Sequence, residues 1–394
     1  MTRAFSPAAW RALCVLGTVL LSGAGEAAFG TCGPFTDVAA DAFCPFVLEI
    51  FTLGITTGTT TTTYDPSGNV TRLQMAAFLS RTVDSVLRRG SPRAISDKLW
   101  TPQNQASIGV TTLYTGNPGG VACDGADIWA ANIGMGTVSR VRGSDGKLLE
   151  TWTGATFAHQ LIVALDGVFV TGGTNPGQLY RIVASQTAGA VTTVASNLGE
   201  QTNGVAFDGA RIWTAAGGPA NPSVSILTPG PSIPWTVTTV TAGFGTPLGA
   251  IFDGVNVWVT DATANTLLKL GSDGAILQTV TVGSEPGLPV FDGVNIWVPN
   301  NFSSSVTVVR AATGTVLATL TGNGLDRPGA GAFDGERILI NNGNATTSLV
   351  SLFKAADLTP LGSFSTGFFT SPGSSCSDGL NFWIGLLSGQ LARF

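Results

Sequence analysis

Side chains that could do catalytic chemistry are scarce in this sequence, which has a single histidine, His159, and five cysteines among its 394 residues. Zinc sites need three or four His, Cys or carboxylate ligands. A site of the His and Cys kind therefore cannot be assembled if the cysteines are paired in disulfides. No G-x-S-x-G, H-E-x-x-H or phosphate-loop motif is present. The residues alone identify no reaction.

Polar side chains do recur just before and just after short apolar, β-rich segments. A fold that gathered them around one depression could bind a sugar, a peptide or a metal ion. The polar residues before these segments form a first group, and those after them form a second group. Asn and Asp also serve tight turns. We favour the turn role for the second group, whereas binding and turn roles both stay open for the first. The first group is His159, Gln160, Glu200, Gln201, Asn203, Glu285, Asp326 and Arg327. The second is Asn132, Asn175, Asp261, Asn300, Asn301, Asn341 and Asn342.

The elements that position these residues belong to an internal repeat. An Asp-Gly pair recurs at intervals of 39 to 45 residues, and in five repeats a tryptophan lies five residues after the Asp. Each unit adds two further strand-like runs, joined in the fourth by Asp273-Gly274, a hairpin signal. The Asp-Gly pairs begin at Asp124, Asp166, Asp208, Asp253, Asp292, Asp334 and Asp378.

One unit is thus four antiparallel strands, which cannot bury both faces alone, whereas seven units around an axis can. The sequence predicts a mainly β fold, a seven-bladed β-propeller over residues 105–394. The last unit stops after three strands, so a run at 107–116 should supply the fourth and close the ring. Cys123 and Cys376 should then project from opposite faces of blades one and seven into one seam. A Cys123–Cys376 disulfide and two buried free thiols are the alternatives there.

Residues ahead of the repeat differ in kind. Arg3 and Arg11 precede an apolar run at 12–21 that small residues follow, so 1–28 is predicted to be a signal peptide whose removal would take Cys14 with it. Residues 31–84 have the pattern of a small two-helix module, which we expect a Cys32–Cys44 disulfide to staple. Residues 85–104 mix charge, Pro and Ser as a linker does.

The module resembles the S-layer homology family. The stretches that carry the resemblance are PFTDV (34–38), LGITTG (53–58), YDPSGNVTR (64–72) and QMAAFLSR (74–81). The resemblance implies attachment to cell-wall polysaccharide, with Arg72 of the Thr-Arg motif in the binding groove. This chain has one copy where the family usually has three, Gln74 in place of the usual Glu and Phe43 near the usual Trp.

The repeats themselves resemble the DG-x-x-(I/V)W blades of YVTN-type and NHL-like bacterial propellers, a superfamily that includes lyases. Those lyases use His and acidic residues with a metal ion on one face of the ring. The resemblance implies, as an alternative function, a lyase or hydrolase acting through His159 with Glu200 or Glu285 and a divalent metal ion.

The leading expectation is a secreted or envelope-associated binding scaffold without a cofactor. Its partner would be a cell-wall or surface polysaccharide or a surface protein, bound on a face containing His159, Gln160, Glu200, Asn203, Glu285, Asp326 and Arg327. A structural surface-layer component is a third possibility. The net charge of −5 and the lack of Lys/Arg clusters argue against nucleic acid, and no membrane span is expected once the signal is removed.

Overall fold

The computed structural model describes residues 34–38, 43–52, 55–88, 109–113, 118–143, 146–344, 348–366, 372–379 and 381–394. The chain divides into two compact units, Met1–Ile95 and Ser96–Phe394. The predicted signal peptide at 1–28 lies outside the described residues. None of the described helices is both long and apolar enough to cross a lipid bilayer.

The first unit contains helices α1 (Cys44–Thr52) and α2 (Arg72–Arg88). A reciprocal capping box starts α2, since Gln74 N–H donates to Thr71 Oγ1 at 3.2 Å and Thr71 N–H donates to Gln74 Oε1 at 2.8 Å. The second helix runs four residues past the boundary predicted at 84, into the predicted linker, because no Gly or Pro interrupts it before Gly90. Phe35, Val38 and Val47 form the small core.

Cys44 is disulfide-bonded, but its predicted partner Cys32 lies outside the described residues. The Cys32–Cys44 pairing therefore stays a prediction.

The second unit is a ring of seven four-stranded antiparallel sheets, as the repeat predicts. The N-terminal strand is β1 (Gly109–Leu113). The first three blades follow as β2 (Pro118–Cys123), β3 (Asp127–Asn132), β4 (Thr137–Arg142) and β5 (Leu148–Thr153); β6 (Ala158–Ala164), β7 (Gly167–Gly172), β8 (Gln178–Ile182) and β9 (Thr192–Ser196); β10 (Thr202–Phe207), β11 (Ile212–Ala216), β12 (Ser223–Thr228) and β13 (Thr236–Val240). A short 3-10 helix, Ile133–Met135, joins β3 to β4.

The remaining blades repeat the same order from the innermost strand outward. They are β14 (Pro247–Phe252), β15 (Val257–Asp261), β16 (Thr266–Leu270) and β17 (Ile276–Thr281); β18 (Val290–Phe291), β19 (Asn295–Asn300), β20 (Ser305–Arg310) and β21 (Thr315–Leu320); β22 (Pro328–Phe333), β23 (Arg337–Asn342), β24 (Leu349–Lys354) and β25 (Pro360–Ser365); β26 (Pro372–Ser377), β27 (Phe382–Leu386) and β28 (Gln390–Arg393).

The ring closes as predicted, with strands from both ends of the propeller in one blade. The seventh sheet has the order β1-β28-β27-β26, and β1 pairs antiparallel with β28 in the register Gly109↔Arg393. Cys123 and Cys376 form a disulfide across the seam between blades one and seven, with Cα atoms 5.7 Å apart. The disulfide alternative is therefore confirmed over two free thiols.

The Asp of the repeat has a second role that its turn position does not reveal. In the fourth blade Asp253 Oδ1 accepts from the backbone N–H groups of Val255 and Asn256, while Oδ2 accepts from Trp258 Nε1 at 2.7 Å. The indole is fully buried between blades. The same Asp–Trp bond joins Asp124 to Trp129, Asp208 to Trp213, Asp292 to Trp297 and Asp378 to Trp383.

Candidate functional site

The predicted polar groups lie at the end of the ring where the innermost strands begin and the second strands end; we call this end the loop face. One backbone bond recurs there. The carbonyl that precedes the innermost strand accepts from the N–H just beyond the second strand. The N–H and carbonyl pairs are Gly173 to Phe157 at 2.9 Å, Gly217 to Gln201 at 3.4 Å, Ala262 to Thr246 at 2.9 Å, Asn301 to Glu285 at 2.9 Å and Gly343 to Arg327 at 2.7 Å.

Four of these carbonyl-bearing residues have left-handed backbone. The φ angles are 50° at Phe157, 55° at Gln201, 54° at Glu285 and 54° at Arg327. This region is uncommon for residues other than Gly, Asn and Asp, so the repeated bond fixes an otherwise unfavourable conformation. Phe157 is 54% exposed, Gln201 and Arg327 are also exposed, and Glu285 is half-buried.

Sequence reasoning missed Phe157 because polar character was the criterion. The sequence signal that could have found Phe157 is its distance from the Asp of the repeat. In the three other repeats that have it, the left-handed residue lies seven residues before the Asp, whereas Phe157 lies nine before Asp166. The reason is the position of the turn between the first two strands of the second blade. Ala164 pairs with Gly167, so that turn consists of Leu165 and Asp166.

His159 lies within strand β6 and not in the preceding loop where the sequence suggested it. Its ring packs against Gly173, where any Cβ would meet Cδ2 and Nε2. Burial lowers the pKa of His159 below its usual value of 6.5, so the imidazole is neutral at neutral pH.

The neighbouring predicted residues act mainly through their backbones. Thr171 Oγ1 accepts from Gln160 N–H at 3.0 Å and donates to the carbonyl of Asn203, in the next blade, at 2.8 Å. Glu200 is half-buried with its Cβ and Cγ against Gly218, and its carbonyl accepts from Gly218 N–H at 2.9 Å.

Asp326 and most of the second polar group form hydrogen bonds to neighbouring loops and strands. Asn344 Nδ2 donates to Asp326 Oδ2 at 2.6 Å. Asn300 is fully buried, and its amide donates to Thr307 Oγ1 at 3.0 Å. Asp261 Oδ1 accepts from Thr246 N–H at 2.9 Å, linking a second-strand end to its entry loop. Similar buried amide bonds run from Asn132 to Ser139 and from Asn342 to Ser351.

A small cavity of about 140 Å³ lies on the ring axis, lined by neutral residues from several blades. Close approach of the innermost strands keeps it narrow, since a side chain at Gly120 would collide with the carbonyl of His159, and one at Gly204 with that of Leu248. The hydroxyl of Ser375 is buried there without a partner among the described residues. The lining includes Gln160, Gly204, Ala250, Leu288, Gly331 and Ser375.

The acid–base residues of the enzyme alternative lie in or before three different blades. His159 lies in blade two and Glu200 just before blade three, each packed against a glycine of its own blade, while Glu285 precedes blade five. Within the part of the chain that the structure describes, no three His, Cys, Asp or Glu side chains are placed to hold a metal ion. Among the described residues, His159, Glu200 and Glu285 therefore form no such group.

Comparison with known proteins assigns the two units separately. Residues 34–76 match the S-layer homology domain. No curated protein matches the chain. A catalytically inactive virginiamycin B lyase from Staphylococcus aureus, solved with quinupristin, is similar in structure at a TM-score of 0.60 and 14% identity, covering 72% of this chain and 97% of that one.

Two further solved structures show how widely the fold is shared. A streptogramin B lyase has a TM-score of 0.58 and 14% identity, covering 72% of this chain and 96% of its own. The WD40 β-propeller domain of Doa1 reaches 0.59 and 13%, covering 73% and 95%. At such identities the likeness concerns the fold alone. The chain thus combines an S-layer homology domain with a seven-bladed β-propeller of the architecture that virginiamycin B lyase also has.

Proposed function

We propose that this protein is a binding scaffold of the cell envelope, tethered through its S-layer homology domain and presenting the loop face of its propeller to a partner. The observation that carries the proposal is the match of residues 34–76 to a domain whose family attaches to cell-wall polysaccharide. Arg72, the residue that the family motif assigns to polymer binding, is exposed at the start of α2.

The capping box supports this role for Arg72. Because Thr71 and Gln74 satisfy each other's backbone N–H groups, the first turn of α2 is fixed and the position of the Arg72 backbone is set. A cation held in this way at an exposed site can meet an anionic group of a polymer without a large loss of backbone entropy.

The loop face supports the scaffold part of the proposal. Exposed Phe157, Gln201 and Arg327 stand on backbones that recurring bonds hold in place, so a partner would meet a preorganised surface. The lyase likeness does not extend the proposal to catalysis, because at 14% identity it concerns the fold alone.

The tether is tested by co-sedimentation of the mature protein with isolated cell envelopes. We expect deletion of 31–84 to abolish association and Arg72→Ala to weaken it about ten- to a hundredfold, since one charge-assisted contact contributes roughly 1.5–3 kcal/mol. Arg88→Ala, at the other end of α2, is the matched control and should sediment like the parent. Undiminished sedimentation of the deletion variant would refute the tether.

A further inference from the structure

The loop face carries one basic side chain among the described residues, and its surroundings indicate what it binds. Arg327 is exposed and forms no ion pair with any described residue. The other described basic residues of the propeller lie at or toward the Asp-Gly end of their blades. They are Arg140, Arg142, Lys147, Arg181, Arg211, Lys269, Arg310, Arg337, Lys354 and Arg393.

Arg327 belongs to a bonded unit of three loops at the seam of blades five and six. Its N–H donates to Ser304 Oγ at 3.3 Å, and its carbonyl accepts from Asn301 Nδ2 at 3.2 Å. The same 301–304 loop is tied to the entry loop of its own blade, because Phe302 N–H donates to the carbonyl of Ser284 at 3.1 Å and Asn301 N–H to that of Glu285 at 2.9 Å.

This unit exposes three different chemical groups. Phe302 is 69% exposed and offers an apolar ring. Arg327 offers a planar guanidinium whose N–H fork matches a carboxylate. Glu285 offers a half-buried carboxylate that accepts hydrogen bonds from hydroxyl groups. An apolar face, a carboxylate and a rim of hydroxyls are together the features of an acidic sugar.

We propose that the loops at 284–285, 301–304 and 326–327 form a subsite for a carboxylate-bearing sugar of a polysaccharide. The guanidinium of Arg327 binds the carboxylate, Phe302 packs on the apolar face of the sugar ring, and Glu285 accepts from a ring hydroxyl. This subsite deepens the proposed function and rests on it, since envelope tethering is what brings the propeller to a polysaccharide and not to a soluble peptide.

Binding of polygalacturonate to the full chain carrying Arg72→Ala tests the subsite, because that background removes the cation that the family motif assigns to polymer binding in the tethering domain. Neutral dextran and poly-glutamate are the comparison polymers. We expect Arg327→Gln and Phe302→Ala each to weaken polygalacturonate binding at least tenfold, and Arg327→Lys to weaken it less. Arg310→Gln, which removes the same charge at the opposite end of blade five, should leave binding unchanged.

Three outcomes overturn the subsite: equal affinity for dextran, equal affinity for poly-glutamate, or equal affinity of the Arg327→Gln and Arg310→Gln variants. Near-ultraviolet circular dichroism of the buried tryptophans shows whether each variant is folded. Envelope co-sedimentation of Arg327→Gln, without the Arg72 change, separates the two proposals. If Arg327→Gln still sediments with envelopes but no longer binds polygalacturonate, both proposals are supported. If deletion of 31–84 releases the protein from envelopes but the chain with an intact Arg327 does not bind polygalacturonate, the subsite is refuted and the tether is not.

Discussion

At the scale of single residues, one carboxylate in five of the seven repeats both shapes a turn and anchors a core tryptophan. Burial raises the pKa of the Asp208 carboxyl, but the bonds from Trp213 Nε1 and the backbone N–H groups of Arg211 and Ala210 lower it by more, so its pKa lies below the usual value. In the sixth repeat, which lacks the tryptophan, Arg337 Nε donates to Asp334 Oδ2 instead. The sixth repeat therefore keeps the Asp carboxylate although it has no tryptophan indole to bind.

The Asp–Trp bond predicts a stability loss for Asp253→Asn. The amide keeps the oxygen that caps the turn but places an NH₂ against Trp258 Nε1, leaving a buried donor without an acceptor, which costs about 1–3 kcal/mol. The free energy of unfolding in urea measures this. Asp166→Asn is the control, because that side chain is 83% exposed and faces no indole, and its change should stay within about 0.5 kcal/mol. Equal effects of the two substitutions would contradict the assigned role.

At the scale of elements, β1 is the outer strand of a blade whose other three strands come from the opposite end of the propeller. Without β1, strand β28 would present an unpaired edge. The sequence suggested this exchange because the last repeat lacks a fourth strand, and the register between β1 and β28 confirms it.

Deleting residues 109–113 from the full chain should therefore expose the edge of β28 and cause concentration-dependent association. Analytical ultracentrifugation measures it, with a deletion of equal length at 91–95 in the predicted linker as the control. If both deletion variants sediment as the parent does, β1 does not protect that edge.

At the scale of the whole molecule, the ring is closed twice at the same place. The β1–β28 pairing joins its termini noncovalently, and the Cys123–Cys376 disulfide links blades one and seven across a sequence separation of 253 residues. A cross-link over so long a segment restricts the unfolded chain strongly. Closure therefore stabilises the propeller beyond the packing of individual blades.

Replacing both cysteines, Cys123→Ser with Cys376→Ser, should lower the free energy of unfolding by about 2–5 kcal/mol. Tryptophan fluorescence during urea denaturation reports mainly on the propeller, because seven of the nine tryptophans lie within 105–394 and residues 34–88 contain none. The parent in reductant should unfold at the same urea concentration as the double variant. An unshifted midpoint would show that strand pairing alone closes the ring.

The sequence by itself determined the fold of this protein to the level of blade number and ring closure. Asp253, Trp258 and their counterparts repeat a local pattern, and hydrophobic periodicity with turn chemistry specifies each sheet before any long-range contact forms. The alternation of side chains along strands placed Cys123 and Cys376 in one seam, and the structure decided between a disulfide and two free thiols there.

Only the tertiary structure decided which groups stand together on the loop face. In the loop before β10, Gln201 has a left-handed backbone and is exposed, while the adjacent Glu200 packs on Gly218. Likewise Phe302 and Arg327 belong to different blades, and only the bonds across their seam bring them into one unit. Loop conformation and the meeting of distant repeats are not encoded in local periodicity, which is why the fold was predictable and the site was not.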